Sequence, residues 1–211
     1  MNVIAINGSP RQKGNTALAL AEVLKSLEEN GIATDCIHIG GEAVRGCSGC
    51  YACMRKADRR CRFSDDCVND CIDRMAAADG ILLGAPVYYA GMAGTMKAFL
   101  DRVFFVAAAN GGLFRLKAGA GVAAVRRAGS VTTVDQLNKY LTISEMIIPG
   151  STYWPMVHGL APGEAEQDAE GLQCMRVLGS NMAWLLKLMA HGRTAVPLPP
   201  PTAKVMTNFI R

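Results

Sequence analysis

The chain has 211 residues, of which 50% are hydrophobic, 19% charged and 6% aromatic, enough to bury one sizeable core. Its formal charge of +4 is scattered apart from a short run at Arg55, Lys56, Arg59, Arg60 and Arg62, too little to indicate nucleic acid. No apolar run approaches the roughly 18 residues of a membrane span, and six of the eight cysteines crowd between Cys47 and Cys71 in a chain too large to need disulfide staples, so one cytoplasmic domain with reduced thiols is expected.

Val3 to Ile6 is a β-branched, apolar run that meets Asn7-Gly8-Ser9-Pro10, which predicts a buried strand and a turn. A helix should follow, with Asn15 or Thr16 as its cap, Leu20, Val23, Leu24 and Leu27 on one face, and Asn30-Gly31 ending it. Ile32 to Ile39 reads as a second strand. After a cysteine-rich insertion at about 45–66, the segment 66–78 suits a helix, with Cys67, Cys71, Ile72 and Met75 on its apolar side. Ile81 to Val87 is a third strand, followed by a helix through Met96, Phe99, Leu100, Val103 and Phe104. Ala118 to Val125 is a fourth strand, Val134 to Ile143 a helix, Met146 to Ile148 a short last strand, and Glu164 to Met189 the longest helix. Strands alternating with helices require crossover connections, hence a parallel sheet covered on both faces. From about residue 194 the prolines at 197, 199, 200 and 201 predict an extended tail.

Between the first strand and its helix lies Gly8-Ser9-Pro10-Arg11-Gln12-Lys13-Gly14-Asn15-Thr16. Unpaired N–H groups at a helix start, two hydroxyls and two glycines suit a phosphate. Neither the P-loop pattern nor Gly-x-Gly-x-x-Gly is present here, and Gly119 to Ala124 matches the latter only inside a strand, where small residues let a helix pack closely. This loop resembles that of the flavodoxin-like, NADPH-dependent FMN reductase family, which holds the FMN phosphate with Gly-Ser-Pro-Arg-x-x-Gly-Asn-Thr. Ala85-Pro86-Val87-Tyr88-Tyr89-Ala90-Gly91-Met92 and the following Lys97 to Arg102 resemble the family's flavin-ring loop and the helix behind it. The resemblance extends to residues 168–188. It implies a doubly wound five-stranded sheet in the order 2-1-3-4-5, with FMN at the carboxyl ends of its strands. Ser9, Arg11, Asn15 and Thr16 would bind the phosphate, and Pro86, Val87, Tyr88, Tyr89 and Gly91 would shape the ring site. The opposing possibilities are a plain capped helix start and tyrosines that merely pack. A third loop, Arg126 to Ser130, stands where the family often has a Gly-rich run but carries fewer glycines.

Cys47-x2-Cys50-x2-Cys53-x7-Cys61 has three thiols at successive spacings of three, with Gly46 and Gly49 between them. That pattern suits one iron-sulfur cubane better than zinc, which takes paired hooks, or a single disulfide. It also resembles the iron-sulfur flavoprotein branch of the same family, as does Cys61-x3-Asp65-Asp66. Cys47, Cys50, Cys53 and Cys61 are the expected ligands, Cys67 or Cys71 could replace Cys61, and thiols without a cluster remain open. Cys36 and Cys174 read as packing residues, and His38, His158 and His191 form no motif.

What the resemblance implies is an FMN-dependent electron-transfer protein carrying a 4Fe-4S cluster, with no side chain needed as nucleophile or base. A cluster-free NAD(P)H-dependent FMN or quinone reductase, and a flavin-binding redox sensor, are the alternatives. Electrons would come from NAD(P)H or a small carrier such as ferredoxin, and a homodimer or homotetramer would cover the flavin.

Overall fold

The computed structural model of the chain describes residues 1–207, 209 and 210. Its elements run β1 (Asn2–Asn7), α1 (Asn15–Glu29), β2 (Ala33–His38), α2 (Ala52–Lys56), α3 (Val68–Ala77), β3 (Gly80–Tyr88), β4 (Gly91–Met92), α4 (Gly94–Ala109), β5 (Ala118–Val125), α5 (Ser130–Ile143), β6 (Met156–His158), a 3-10 turn at Glu164–Gln167, and α6 (Ala169–Gly192). The strands lie in the order β2-β1-β3-β5-β6, all parallel, while the two-residue β4 folds back antiparallel on β3. Leaving that hairpin strand aside, this is the expected order of five.

The period of two along each strand sorts side chains onto two faces. Ile4, Ile6, Ile81 and Leu83 point toward α3 and α4, where Ile72, Met75, Phe99 and Val103 meet them. Val3, Ala5, Leu82, Ala120 and Val122 point the other way, against Leu20, Val23 and Leu27 of α1 and Met175, Leu178 and Met182 of α6. Each fully buried Leu, Ile or Phe contributes about 1.5 to 3 kcal/mol. Phe99→Ala, at a position with no solvent exposure, would therefore cost about 3 to 5 kcal/mol once its cavity is included.

Small residues in β5 do what the sequence suggests. A methyl group on Gly121 would lie 2.7 Å from Leu137 Cβ and one on Gly119 2.7 Å from Met146 Cε, so these glycines let α5 and the segment after it sit directly on the strand. At the end of α1, Gly31 is left-handed (φ +78°) and its N–H bonds the Glu28 carbonyl at 2.8 Å, which is the expected glycine stop.

Several details differ from the sequence reading. The fifth strand is Met156–His158. Met146 to Ile148 makes only one bridge, Ile147 to Ala118, because Pro149-Gly150 ends any ladder there. The cap of α1 is Gly14 and no side chain caps that end, so neither Asn15 nor Thr16 fills the role. Helix α5 begins at Ser130, four residues early, since a left-handed Gly129 turns the chain and its carbonyl accepts from both the N–H and the hydroxyl of Thr133. Cys36 is exposed on the edge strand β2, whereas Cys174 is buried as expected.

The last helix breaks at Asp168 and is regular only from Ala169. Beyond it the chain is extended, tied to the body where Arg115 Nη2 donates to the carbonyls of Pro199 (2.9 Å) and Pro200 (3.4 Å). Among the described residues no helix is long and apolar enough to cross a membrane.

Candidate functional site

Because β1, β3, β5 and β6 are parallel, the loops that leave them, 8–14, 89–93, 126–129 and 159–163, gather at one edge of the sheet. The first is held from within. Asn7 Oδ1 accepts from Ser9 N–H (3.0 Å), Ser9 Oγ accepts from Arg11 N–H (3.2 Å), and the Arg11 carbonyl accepts from Gly14 N–H (3.2 Å). Ser9 is 4% exposed and its hydroxyl hydrogen is left to point elsewhere; Thr16 is 1% exposed and its hydroxyl bonds no other group among the described residues. The first helical bond runs from Leu18 to Gly14, so N–H groups at the start of α1 stay unpaired, and no acidic residue sits in that turn to offset their partial positive charge. The residues fit an anion.

Backbone crowding makes the loop specific. A Cβ on Gly40 would fall 2.0 Å from the Ser9 carbonyl oxygen, and His38 Nε2 lies 2.7 Å from the same oxygen. The strand β2 thus props this loop from behind, a role that no sequence motif announced. Asn15 does something further: its Nδ2 donates to the Ala161 carbonyl (3.0 Å) while its Oδ1 accepts from Gly163 (3.0 Å) and Ala165 (3.3 Å). Its carboxamide pins the loop after β6, and its main-chain N–H remains for the anion. Arg11 is exposed and reaches the Leu160 carbonyl at 3.5 Å.

In the second loop, Val87 and Tyr88 pair with Met92 and Gly91, and the turn is closed by Tyr89 (φ +49°) and Ala90 (φ +59°). Both tyrosine rings are exposed, so neither is a packing residue; Pro86, Val87 and Gly91 are half-buried. The hairpin is braced by Gln136, whose Oε1 accepts from Met92 N–H at 3.0 Å, and by Gly129, whose added Cβ would meet Ala90 Cα at 2.6 Å. The loop 126–130 therefore supports the hairpin through the one glycine it retains.

The cysteine insertion packs on α3 and α4. Left-handed residues at Gly49, Tyr51, Ala57 and Arg59 wrap it into a tight path, and Tyr51 stacks edge-on against Phe105 with ring centroids 5.8 Å apart. Cys47, Cys50, Cys53 and Cys61 line one pocket, together with Tyr51, Phe63 and Arg102. The Ala52 N–H lowers the Cys50 thiol from its ordinary value, whereas burial raises that of Cys53 against the Met54 N–H. Cys61 is brought in across its seven-residue interval by Asn69, and its sulfur accepts from Arg102 Nε at 3.3 Å. Among the described residues no three His, Cys, Asp or Glu side chains close on a single metal-ion position. A cubane asks for something else, since each of four thiolates binds a different corner.

Cys67 and Cys71 are not in that pocket. The Cys71 N–H donates to the Cys67 carbonyl at 3.0 Å, the interaction between the two thiols lowers the first and raises the second far above the ordinary range, and Cys71 is buried in the core.

Residues 1–161 match the model of a family described as NADPH-dependent FMN reductase. An iron-sulfur flavoprotein of Methanocaldococcus jannaschii is 37% identical over 197 residues, covering 90% of this chain and 99% of that one. Another, from Methanosarcina thermophila, is 30% identical over 195 residues, covering 92% and 99%. Among solved structures, an NAD(P)H:quinone oxidoreductase from Methanothermobacter marburgensis superposes with a TM-score of 0.67 at 15% identity, covering 86% of this chain and 96% of that one; at that identity the likeness is one of fold.

Proposed function

The chain belongs to the NADPH-dependent FMN reductase family, in its iron-sulfur flavoprotein branch, and we propose from that premise that it couples FMN to a 4Fe-4S cluster held by Cys47, Cys50, Cys53 and Cys61. Its activity is that of an FMN-dependent, electron-transferring oxidoreductase. Bound FMN supplies exchange between two-electron and one-electron partners, and a cluster supplies the one-electron side. The protein's own part is to bind, orient and insulate. Ser9, Thr16 and the N–H groups opening α1 take the phosphate, with Arg11 at its rim; Pro86, Val87, Tyr88, Tyr89 and Gly91 form the ring site; Gln136 and Gly129 keep that hairpin in place.

The observation that carries the cluster reading is the presence of four cysteines on one pocket, which is also lined by a buried arginine beside the Cys61 sulfur. NAD(P)H or a reduced small carrier such as ferredoxin is the proposed electron source, the cytoplasm the proposed compartment, and a homodimer or homotetramer the proposed assembly. A cluster-free NAD(P)H-dependent FMN or quinone reductase is the second reading, in keeping with the family description.

Purification without oxygen, with iron and acid-labile sulfide assays, separates the two. Four iron and four sulfide per chain are expected of a cubane. Cys61→Ala should lose both and keep FMN, while Cys67→Ala and Cys71→Ala should keep all three. A wild type with FMN but neither iron nor sulfide leaves the cluster-free reductase.

A further inference from the structure

Arg102 is the bulkiest side chain shut away from solvent in the molecule, 1% exposed on the middle of α4. A buried guanidinium is costly unless every N–H finds a partner. Here all five do. Nη1 donates to Asp66 and to the Arg45 carbonyl (3.2 Å), Nη2 to Asp66 Oδ1 (3.1 Å) and the Phe63 carbonyl (3.1 Å), and Nε to Cys61 Sγ (3.3 Å). Four of these bonds clamp the planar group between the insertion and its helix. The fifth is thereby aimed at one sulfur.

A fork-shaped donor held this way differs from a loose cation. Lysine could supply charge but not the fixed Nε–H direction. Asp66, 6% exposed, cancels the charge of the guanidinium without competing for that fifth hydrogen. The pair is thus neutral as a unit and still presents an N–H to the sulfur. Cys61 is the ligand separated from its neighbours by the longest interval, so it gains most from an external hold.

We propose that Arg102 is a positioning residue for the metal centre, fixing the Cys61 sulfur by its Nε–H and raising the centre's reduction potential, with Asp66 setting the size of that effect. The proposal rests on the cluster reading above. An N–H donor and a positive charge both favour the more negative, reduced state of a cluster, and hydrogen bonds to the sulfurs are among the levers that set its potential.

The two members of the pair then predict opposite shifts. Asp66→Asn keeps the size of the side chain and leaves the arginine uncompensated, so the potential should rise. Arg102→Met alone would strand Asp66 without its partner and endanger the fold, so the variant to use is the uncharged double change Arg102→Met with Asp66→Asn; it removes the N–H donor to sulfur and should lower the potential. Both are purified without oxygen, assayed for iron, sulfide and FMN, and titrated with the EPR signal of the reduced cluster as the readout. Opposite shifts in clusters of full iron content support the proposal. Full clusters whose potentials stay at the wild-type value, or move the same way, overturn it and leave the cluster reading intact. A wild type without iron and sulfide overturns both.

Discussion

Asn69, on the first turn of α3, holds both main-chain polar groups of Cys61: its Oδ1 accepts from the Cys61 N–H at 2.8 Å and its Nδ2 donates to the Cys61 carbonyl at 3.2 Å. The same Nδ2 bonds the Phe63 carbonyl at 3.1 Å. One buried amide therefore replaces a strand neighbour for a stretch of loop that has none.

Asn69→Ala should cost about 1 to 3 kcal/mol, because it leaves buried donors and acceptors unmet. The loss should be concentrated at Cys61, the fourth proposed ligand. Iron per chain should fall while FMN per chain stays, and urea unfolding should show the stability change independently of metal content. Equal iron in wild type and Asn69→Ala would mean that Cys61 holds its place without this clamp.

The proposed phosphate loop makes a sharper prediction at Gly40 than at its own hydroxyls. Ser9→Ala and Thr16→Ala each remove one donor to a charged group and should weaken FMN binding by about 1 to 3 kcal/mol, roughly 5- to 150-fold in Kd. Gly40→Ala puts a methyl group 2.0 Å from the Ser9 carbonyl oxygen, so the loop itself must move. Its FMN affinity should fall further than that of either hydroxyl variant, while all three should bind riboflavin, which has no phosphate, much more nearly alike. Fluorescence titration with both ligands checks this.

Asp168 caps α6, accepting from Gly171 N–H (3.0 Å) and from His158 N–H (2.7 Å). Burial works to raise its pKa, but these bonds and the His158 ring outweigh it, so the folded value lies below the ordinary one. A depressed carboxylate pKa adds stability that is complete above the unfolded value of about 3.9 and disappears as pH falls through the folded value. Asp168→Ala should thus cost about 1 to 2 kcal/mol near neutral pH. Urea midpoints of wild type and variant should draw together as the buffer is taken below about pH 4. A gap that persists unchanged in acid would assign the effect to packing.

Much of this architecture is legible in the chain because its strands are continuous apolar runs bounded by Gly, Asn and Pro, and the parallel order follows from the helices between them. What could not be read depends on distant partners. The strand Met156–His158 is three residues long and is defined by pairing with Ala123 to Val125. Gly40 looks like any loop glycine until β2 is laid beside the phosphate loop. Arg102 was visible only as part of a resemblance, since a single arginine on a helix gives no sign of burial; the one hint was an otherwise apolar face running Phe99, Leu100, Val103 and Phe104 around it. Asn69 likewise sits where helix propensity would place any polar residue.

The final prediction concerns the end of the chain. After α6 the extended segment crosses Arg115, which holds the Pro199 and Pro200 carbonyls, and then projects Val205 (89% exposed), Met206 (79%) and Phe209 (91%). At the carboxyl edge of the sheet, Tyr88 and Tyr89 also stand in solvent. Single exposed apolar residues are ordinary, but several on one tail are what an interface between like chains would cover. Sedimentation at micromolar concentration should therefore show a dimer or tetramer. A chain ending at Ala195 removes no strand or helix, so its circular dichroism should be unchanged while it sediments as a smaller species. If the full chain is a monomer with complete flavin, the assembly is wrong and the tail has another use; if the shortened chain keeps the full assembly, the interface lies on the folded body, where the exposed tyrosines of the β3–β4 hairpin are the first residues to replace.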